Sequence, residues 1–168
     1  YLQITDKCNY NCNYCYQSSD IGGFHGEKDK ILKIIDNLAK FGIKQLTLTG
    51  GEPLLHPEVD AFIKFAHDLE FIVHICSNGT ELNKKRTNDL KKIGVSQIQI
   101  NVDHYNPDIN AKIRGNTLAR NAIEYLRNVK NSGMTSVATI NVTQTNKNSV
   151  LETMEYCRSQ GVDRIRII

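Results

Sequence analysis

The sequence has no tryptophan, only three prolines among 168 residues, and no apolar stretch approaching the length of a membrane helix. Such a helix needs roughly 18 to 20 apolar residues in a row, so we expect no membrane contact. The chain also lacks a large excess of charge of either sign, since 21 basic and 18 acidic residues leave a net charge of only +3. This balance does not indicate a nucleic-acid partner. No charged start leads into an apolar run, as in a secretory leader, and we expect a cytoplasmic protein.

The five cysteines do not form the framework of a disulfide-rich secreted domain. Their number is odd, and Cys8, Cys12 and Cys15 lie within eight residues. Disulfide frameworks have even numbers of cysteines in shorter chains, so a reducing compartment and a metal site fit better. Cys76 and Cys157 lie in apolar segments, where a buried thiol is the default expectation.

Both ends of the chain lie in apolar, strand-like segments, and there is no initiator methionine. Natural termini are usually exposed and polar. We therefore expect residues 1–168 to be a single domain excised from a longer protein.

Two hydrophobic periods alternate along the chain. Runs rich in Ile, Val, Thr and Leu predict six strands, at 1–5, 45–49, 71–76, 96–102, 135–143 and 163–168. Apolar residues spaced three and four apart predict five amphipathic helices, at 28–41, 58–69, 82–93, 117–132 and 148–160. This alternation predicts an α/β fold with a parallel sheet, either open and doubly wound or curved into a partial barrel. In both, the chemistry lies where the strands end.

The segment after the first strand reads Cys8-Asn-Tyr-Asn-Cys12-Asn-Tyr-Cys15. Loop cysteines at such spacing can wrap an iron–sulfur cluster, and three ligands leave one iron of a cubane open. Structural zinc sites close with four ligands instead. His25 could complete a zinc-binding interaction module with the three cysteines, and three thiols without metal are the remaining alternative.

The pattern C-x3-C-x-aromatic-C, with Tyr14 before the last cysteine, resembles the signature of the radical S-adenosylmethionine (SAM) superfamily. The resemblance implies a [4Fe–4S] cluster on Cys8, Cys12 and Cys15, with Tyr14 among the cofactor-binding residues, and a partial TIM-type (β/α)6 barrel. It also implies that reductive cleavage of S-adenosyl-L-methionine gives a 5′-deoxyadenosyl radical, which abstracts hydrogen from a substrate. An electron donor such as ferredoxin or flavodoxin would supply the reducing electron.

Further motifs follow the next two strands. Gly50-Gly51-Glu52-Pro53 reads by itself as a turn, but it resembles the superfamily motif that binds the methionine amino group. Ser77-Asn78 resembles a segment that lies against the cofactor in similar enzymes. We expect all six residues to bind the cofactor.

The segment after the fourth strand resembles a part of radical enzymes with a SPASM-type C-terminal domain, which modify peptides or proteins. Asn101 and Asp103 match the S-[IVL]-D-G pattern with Asn for Ser, and Arg114 matches its downstream Arg-Gly. The resemblance implies that Asn101 and Asp103 line the cofactor site and that Arg114 pairs with the cofactor carboxylate. His104 stands where that pattern has Gly, and we expect an exposed loop histidine more than a group facing the substrate.

By position, Asn141 and Thr143 are expected near the cofactor ribose, and residues 165–168 near its adenine. We expect a peptide or protein substrate. The alternatives are a glycyl-radical activase and a small-molecule radical SAM enzyme.

Overall fold

The computed structural model describes residues 1–17 and 22–168 and contains one sheet of six parallel strands. The strands are β1 (Leu2–Thr5), β2 (Gln45–Gly50), β3 (Ile72–Ser77), β4 (Val95–Asn101), β5 (Thr135–Ile140) and β6 (Arg164–Ile167). The helices are α1 (Lys28–Lys40), α2 (Val59–Asp68), α3 (Lys84–Lys92), α4 (Pro107–Arg114), α5 (Ala122–Asn131) and α6 (Val150–Ser159). Single 3₁₀ segments cover Pro53–Leu55 and Thr117–Asn121.

Each strand pairs with its successor, so the spatial order of the sheet is the order of the chain. Strands β1 and β6 are the two edges, yet the guanidinium of Arg166 donates a hydrogen bond of 2.5 Å to the hydroxyl of Tyr1. That contact requires the sheet to curl until its edges face each other. The predicted α/β fold, a partial barrel with a parallel sheet, is therefore confirmed.

The two faces of the sheet differ in polarity. Residues that point outward toward the helices form the core, among them Leu48, Ile75 and Ile98, each with no exposed surface. The opposite face, called the inner face here, lines cavities and comprises Gln45, Thr47, Thr49, His74, Cys76, Gln97, Gln99, Asn101, Thr139, Arg164 and Arg166. Parallel strands covered on both sides are usually apolar throughout, so this inner face is not built as a second core.

The structure corrects the prediction of the helices in two places. Helix α4 was not predicted, although the Asn106 side chain accepts hydrogen bonds from the N–H groups of Asp108 and Ile109, and Gly115 ends the helix at φ 63°. The predicted helix 117–132 begins as a 3₁₀ segment and becomes α-helical only at Ala122. In the described part of the chain, no helix combines the length and apolarity needed to cross a membrane.

Candidate active site

A cavity of about 460 Å³ opens where the strands end, and all three motif cysteines line it. Its wall also contains eight of the residues predicted to bind cofactor, namely Tyr14, Gly50, Gly51, Ser77, Asn78, Asn101, Arg114 and Asn141. Six separate stretches of sequence therefore meet at one site. The carboxyl ends of parallel strands share one edge of the sheet, which is why residues far apart in sequence come together.

The cysteine loop, residues 6–15, is held on one side by the end of β2. The N–H of Gly51 donates to the carbonyl of Thr5 at 2.9 Å, and that of Glu52 to the carbonyl of Lys7 at 2.7 Å. A Cβ atom on Gly51 would lie 2.1 Å from the carbonyl oxygen of Lys7. The paired glycines therefore let two backbone segments touch, a role beyond that of a simple turn.

The other side of the cysteine loop rests on the end of α4. The Asn13 N–H donates to the carbonyl of Ile113 at 3.1 Å, and the Asn116 amide donates to the carbonyl of Asn9 at 2.8 Å. A Cβ on Gly115 would lie 1.9 Å from the carbonyl oxygen of Asn11. Position 115 requires glycine for two reasons: its backbone is left-handed, and the Asn11 carbonyl leaves no room for a Cβ atom.

Asn78 ties the cysteine loop to β3. Its amide donates to the side-chain oxygen of Asn9 at 2.6 Å and lies 4.0 Å from the sulfur of Cys8. The Tyr10 N–H also points at that sulfur, at 3.4 Å. With three strand or helix ends fixing it, the loop presents its cysteines in a preorganised arrangement.

Glu52 lies behind the cavity wall and has no exposed surface. Its carboxylate accepts hydrogen bonds from the Ser77 hydroxyl at 2.9 Å and from the N–H groups of Asn78 and Leu54 at 2.5 and 3.1 Å. Burial raises its pKa to about 7, against the lowering effect of these donors. Glu52 and Pro53 both lie outside the cavity lining and brace the strand ends, and their direct contact with the cofactor stays a prediction.

Arg114, Tyr14 and Asp103 form a hydrogen-bonded polar triad near Cys12, in which Arg114 and Asp103 are buried and Tyr14 is half-buried. The guanidinium of Arg114 donates to the Tyr14 hydroxyl, which donates to Asp103 at 2.5 Å. Arg114 also lies 3.8 Å from that carboxylate and 5.6 Å from the ring centre of Tyr10. Asp103 has no exposed surface and lies outside the cavity lining, where it supports Tyr14 and Arg114. Its direct role at the cofactor stays a prediction.

The electrostatics of the triad depend on its own members. Burial raises the pKa of Asp103, while Arg114 and the donors Tyr14 and Asn141 pull it down. Burial lowers the pKa of Arg114, but its neighbours more than compensate and hold it above the ordinary value. The guanidinium is therefore a fixed positive charge at the wall of the cavity.

Cys8, Cys12 and Cys15 are free, half-buried thiols. Burial raises the pKa of Cys12 to about 11, while Arg114 opposes this, so metal binding must displace the thiol protons. Among the described residues no three His, Cys, Asp or Glu side chains converge on one point, as a single ion requires. A cubane is different because each cysteine binds a separate iron.

His25 does not join the cysteines. It lies outside the cavity lining, its ring nitrogen is 2.9 Å from the Thr5 hydroxyl, and it packs edge-on against His56. The described residues therefore supply no fourth ligand for the zinc module that we considered as an alternative.

The structure also places His104, Thr143 and residues 165–168. His104 is buried, not exposed, and lies outside the cavity, because its ring stacks on Tyr105 and accepts from the Asn106 N–H. Thr143 hydrogen-bonds to Asn146 in a turn past β5 and does not line the cavity. Of residues 165–168, Ile168 lines the cavity, whereas Ile165 packs against the core.

The two cysteines outside the motif differ from each other. Cys157 has no exposed surface and belongs to the core, as predicted. Cys76 lies on the inner face and lines the cavity, with burial raising the pKa of its thiol to about 11. Cys76 was predicted to be a buried thiol, and the structure shows it half-buried at the cavity wall.

The sequence interpretation missed the inner face. Gln99, Thr139 and Arg166 line the cavity, and the Thr139 hydroxyl is buried without a hydrogen-bond partner among the described residues. A signal was available, because Gln97, Gln99 and Asn101 alternate with apolar residues in β4. Alternation in a parallel strand marks one face that is not covered by a helix layer.

Fold and site together define an α/β partial barrel with a three-cysteine loop at the carboxyl edge of its sheet. A sequence profile of the radical SAM superfamily matches residues 2–157. The chain belongs to this superfamily, whose enzymes use a [4Fe–4S] cluster and S-adenosylmethionine. Membership confirms both predicted cofactors and the need for an electron donor.

Individual relatives refine the comparison. The chain is 29% identical over 174 residues to a GTP 3′,8-cyclase of Helicobacter pylori, covering 99% of this chain and 54% of the relative. It therefore spans about half the length of the curated relatives it matches. Streptococcus suis SuiB bound to S-adenosylmethionine superposes with a TM-score of 0.82 at 16% identity, over 98% of this chain and 39% of SuiB. Methylornithine synthase (PylB) gives 0.77 at 15% identity, over 99% and 51%.

Proposed function

We propose that this chain is the catalytic core of a radical SAM enzyme that abstracts hydrogen from a substrate held in the barrel. The observation that carries the proposal is the single cavity lined by Cys8, Cys12 and Cys15 together with Arg114 and the strand-end residues. When bound, the cluster supplies the electron that cleaves S-adenosylmethionine into methionine and a 5′-deoxyadenosyl radical. Cytoplasmic placement fits the five free cysteines.

The residues around the cavity have separate tasks in this proposal. Cys8, Cys12 and Cys15 would hold three irons and leave the fourth open. The fixed charge of Arg114 would bind the methionine carboxylate of the cofactor. Asn101 and Asn141, both at the cavity wall, would hydrogen-bond to its ribose or carboxylate. Glu52 would act from behind the wall, through Ser77 and Asn78.

Two substrate classes remain in the proposal. A small polar molecule is favoured by the polar inner face and by the GTP 3′,8-cyclases among the relatives. A peptide or protein substrate is favoured by the resemblance at Asn101, Asp103 and Arg114 to SPASM-type enzymes. Streptococcus suis SuiB has also been solved bound to its precursor peptide SuiA, and that structure superposes on this chain with a TM-score of 0.83 at 16% identity. Ferredoxin or flavodoxin remains the proposed electron donor.

Anaerobic iron–sulfur reconstitution tests the core function. We expect about four irons and a cubane absorbance per chain, with S-adenosylmethionine shifting the low-temperature electron spin resonance of the reduced cluster. Stoichiometric zinc without iron would contradict the proposal. Incubating the reduced protein with GTP and with short peptides, and measuring which one increases 5′-deoxyadenosine, would separate the substrate classes.

A further inference from the structure

A second cavity, of about 200 Å³, lies below the cofactor cavity. Gln45, Thr47, His74, Gln97 and Arg164 line only this lower cavity, whereas Tyr1, Cys76, Gln99 and Arg166 line both. The two spaces are therefore adjacent and share a wall. The lower one equals the liquid volume of about six or seven water molecules, which is enough room for a small polar group.

The charge at the lower cavity is positive and unbalanced. Arg164 and Arg166 both line it as exposed residues of β6. Neither has a carboxylate within 4.0 Å among residues 1–17 and 22–168. Their contacts are neutral, since Arg164 donates to the Gln97 side-chain oxygen at 3.3 Å and Arg166 to the Tyr1 hydroxyl. No carboxylate lines either cavity among the described residues.

Hydrogen bonds orient the neutral groups of the lower cavity as donors. Because Arg164 donates to the oxygen of Gln97, the amide nitrogen of Gln97 faces the Nδ1 atom of His74, 3.3 Å away. His74 then carries its proton on Nε2. Burial, with the nearby Arg164 charge, lowers the pKa of His74, which keeps the ring neutral and a donor. This donor-rich, acid-free site favours an anion.

The spacing of the two arginines points to phosphate groups. Arg164 and Arg166 lie two residues apart on one face of β6, a separation of about 6.6 Å along the strand. Each planar guanidinium can bind a phosphate through two parallel hydrogen bonds. We infer that the lower cavity binds the phosphate groups of a phosphorylated small-molecule substrate whose reacting end reaches the cofactor cavity.

The two cavities set the length of that substrate. On β4, Gln97 lines the lower cavity and Asn101 the upper one, and four strand residues span about 13 Å. A molecule with its phosphates at Arg164 therefore places its far end near the strand edge where the cysteines lie. The inference rests on the proposed function, and it adds the chemical class of the substrate.

Equilibrium dialysis of the reconstituted full-length protein with radiolabelled inorganic pyrophosphate tests the inference. We expect saturable binding that Arg164→Gln weakens about tenfold or more, because a hydrogen-bonded charge contributes about 1.5–3 kcal/mol. Arg164→Lys, which keeps the charge but loses the planar fork, should lie in between. The control Arg158→Gln removes an equally basic and equally exposed side chain on α6, which lines neither cavity, and should bind like the unchanged protein.

Three results would overturn the inference: no saturable pyrophosphate binding, equal binding by Arg164→Gln and Arg158→Gln, or citrate binding as tightly as pyrophosphate, which would indicate a carboxylate site. Circular dichroism on each variant shows that it is folded, and Arg164→Lys gives a second reading if Arg164→Gln is not. Measuring 5′-deoxyadenosine in the same unchanged protein separates the two proposals. Cofactor cleavage without pyrophosphate binding overturns only the inference, whereas absence of cleavage overturns the proposed function.

Discussion

Replacing Arg114 with Met should destabilise the protein strongly, because it strands a buried carboxylate. Arg114 and Asp103 are 9% and 0% exposed at their side chains and 3.8 Å apart. At an effective dielectric constant near 20, that separation corresponds to about 4 kcal/mol of attraction. Removing one partner of a buried pair typically costs about 3–5 kcal/mol, so the two estimates agree. We expect a loss of about 4 kcal/mol in the free energy of unfolding.

Urea unfolding of the reduced, metal-free protein measures this loss, with a double-mutant cycle to isolate the pair. Arg114→Met with Asp103→Asn should recover at least half of the cost, because no unpaired charge then remains buried. The matched control is Arg120→Met, whose partner Asp108 is closer, at 2.7 Å, but both side chains are more than half exposed. Solvent screening should keep that change below about 1 kcal/mol.

A loss in the free energy of unfolding for Arg114→Met no larger than that for Arg120→Met would contradict the stabilising role of the buried pair. A coupling energy from the cycle within about 0.5 kcal/mol of zero, the range expected for independent sites, would contradict it as well.

Two further predictions concern the strand edge. Burial raises the pKa of Glu52 from an ordinary 4.5 to about 7. The neutral carboxyl therefore stabilises the folded state fully below pH 4.5, and this stabilisation is lost as the pH rises through 7. The loss is about 3 kcal/mol in the free energy of unfolding. Urea unfolding of the metal-free protein across this pH range should show the decline, and the Glu52→Gln variant should lack it. Equal pH dependence in both proteins would contradict the raised pKa of Glu52. Gly51→Ala should abolish iron loading because its Cβ would lie 2.1 Å from the Lys7 carbonyl oxygen. The control Gly42→Ala has nothing within 4 Å. Its φ of 77° costs about 1 kcal/mol in stability, but at the end of α1 it should leave iron loading normal. Iron content after reconstitution decides, and normal loading of Gly51→Ala would refute the packing role.

The sequence was sufficient to predict the fold because each βα unit carries its own signals. Apolar runs of strand length located the six strands within a few residues, and helical periods located the helices between them. The order of the sheet follows because consecutive elements with short connections are usually neighbours. Helix α4 was missed because it carries few apolar residues, although its Asn-Pro start and Gly115 end were visible.

The sequence was sufficient to predict many of the residues that line the cavity but not which residues support them. Motifs identified the cysteines and the residues at the strand ends, which need only local spacing. Whether Glu52 and Asp103 face the cavity or lie behind it depends on hydrogen bonds to residues such as Ser77 and Tyr14, distant in sequence. The inner face was missed because polar positions in β4 and β6 become meaningful only when the sheet curls around a cavity.

Formation of 5′-deoxyadenosine by the reconstituted, reduced protein with S-adenosylmethionine tests the central claim most directly. The account predicts that the unchanged chain forms it and that Cys12→Ala, which removes one of the three cluster ligands, does not. Cys157→Ala is the matched control, because that thiol is buried in the core and away from the cavity; it should retain cleavage. Production of 5′-deoxyadenosine by Cys12→Ala at the rate of Cys157→Ala would contradict the assignment of the cluster to Cys8, Cys12 and Cys15.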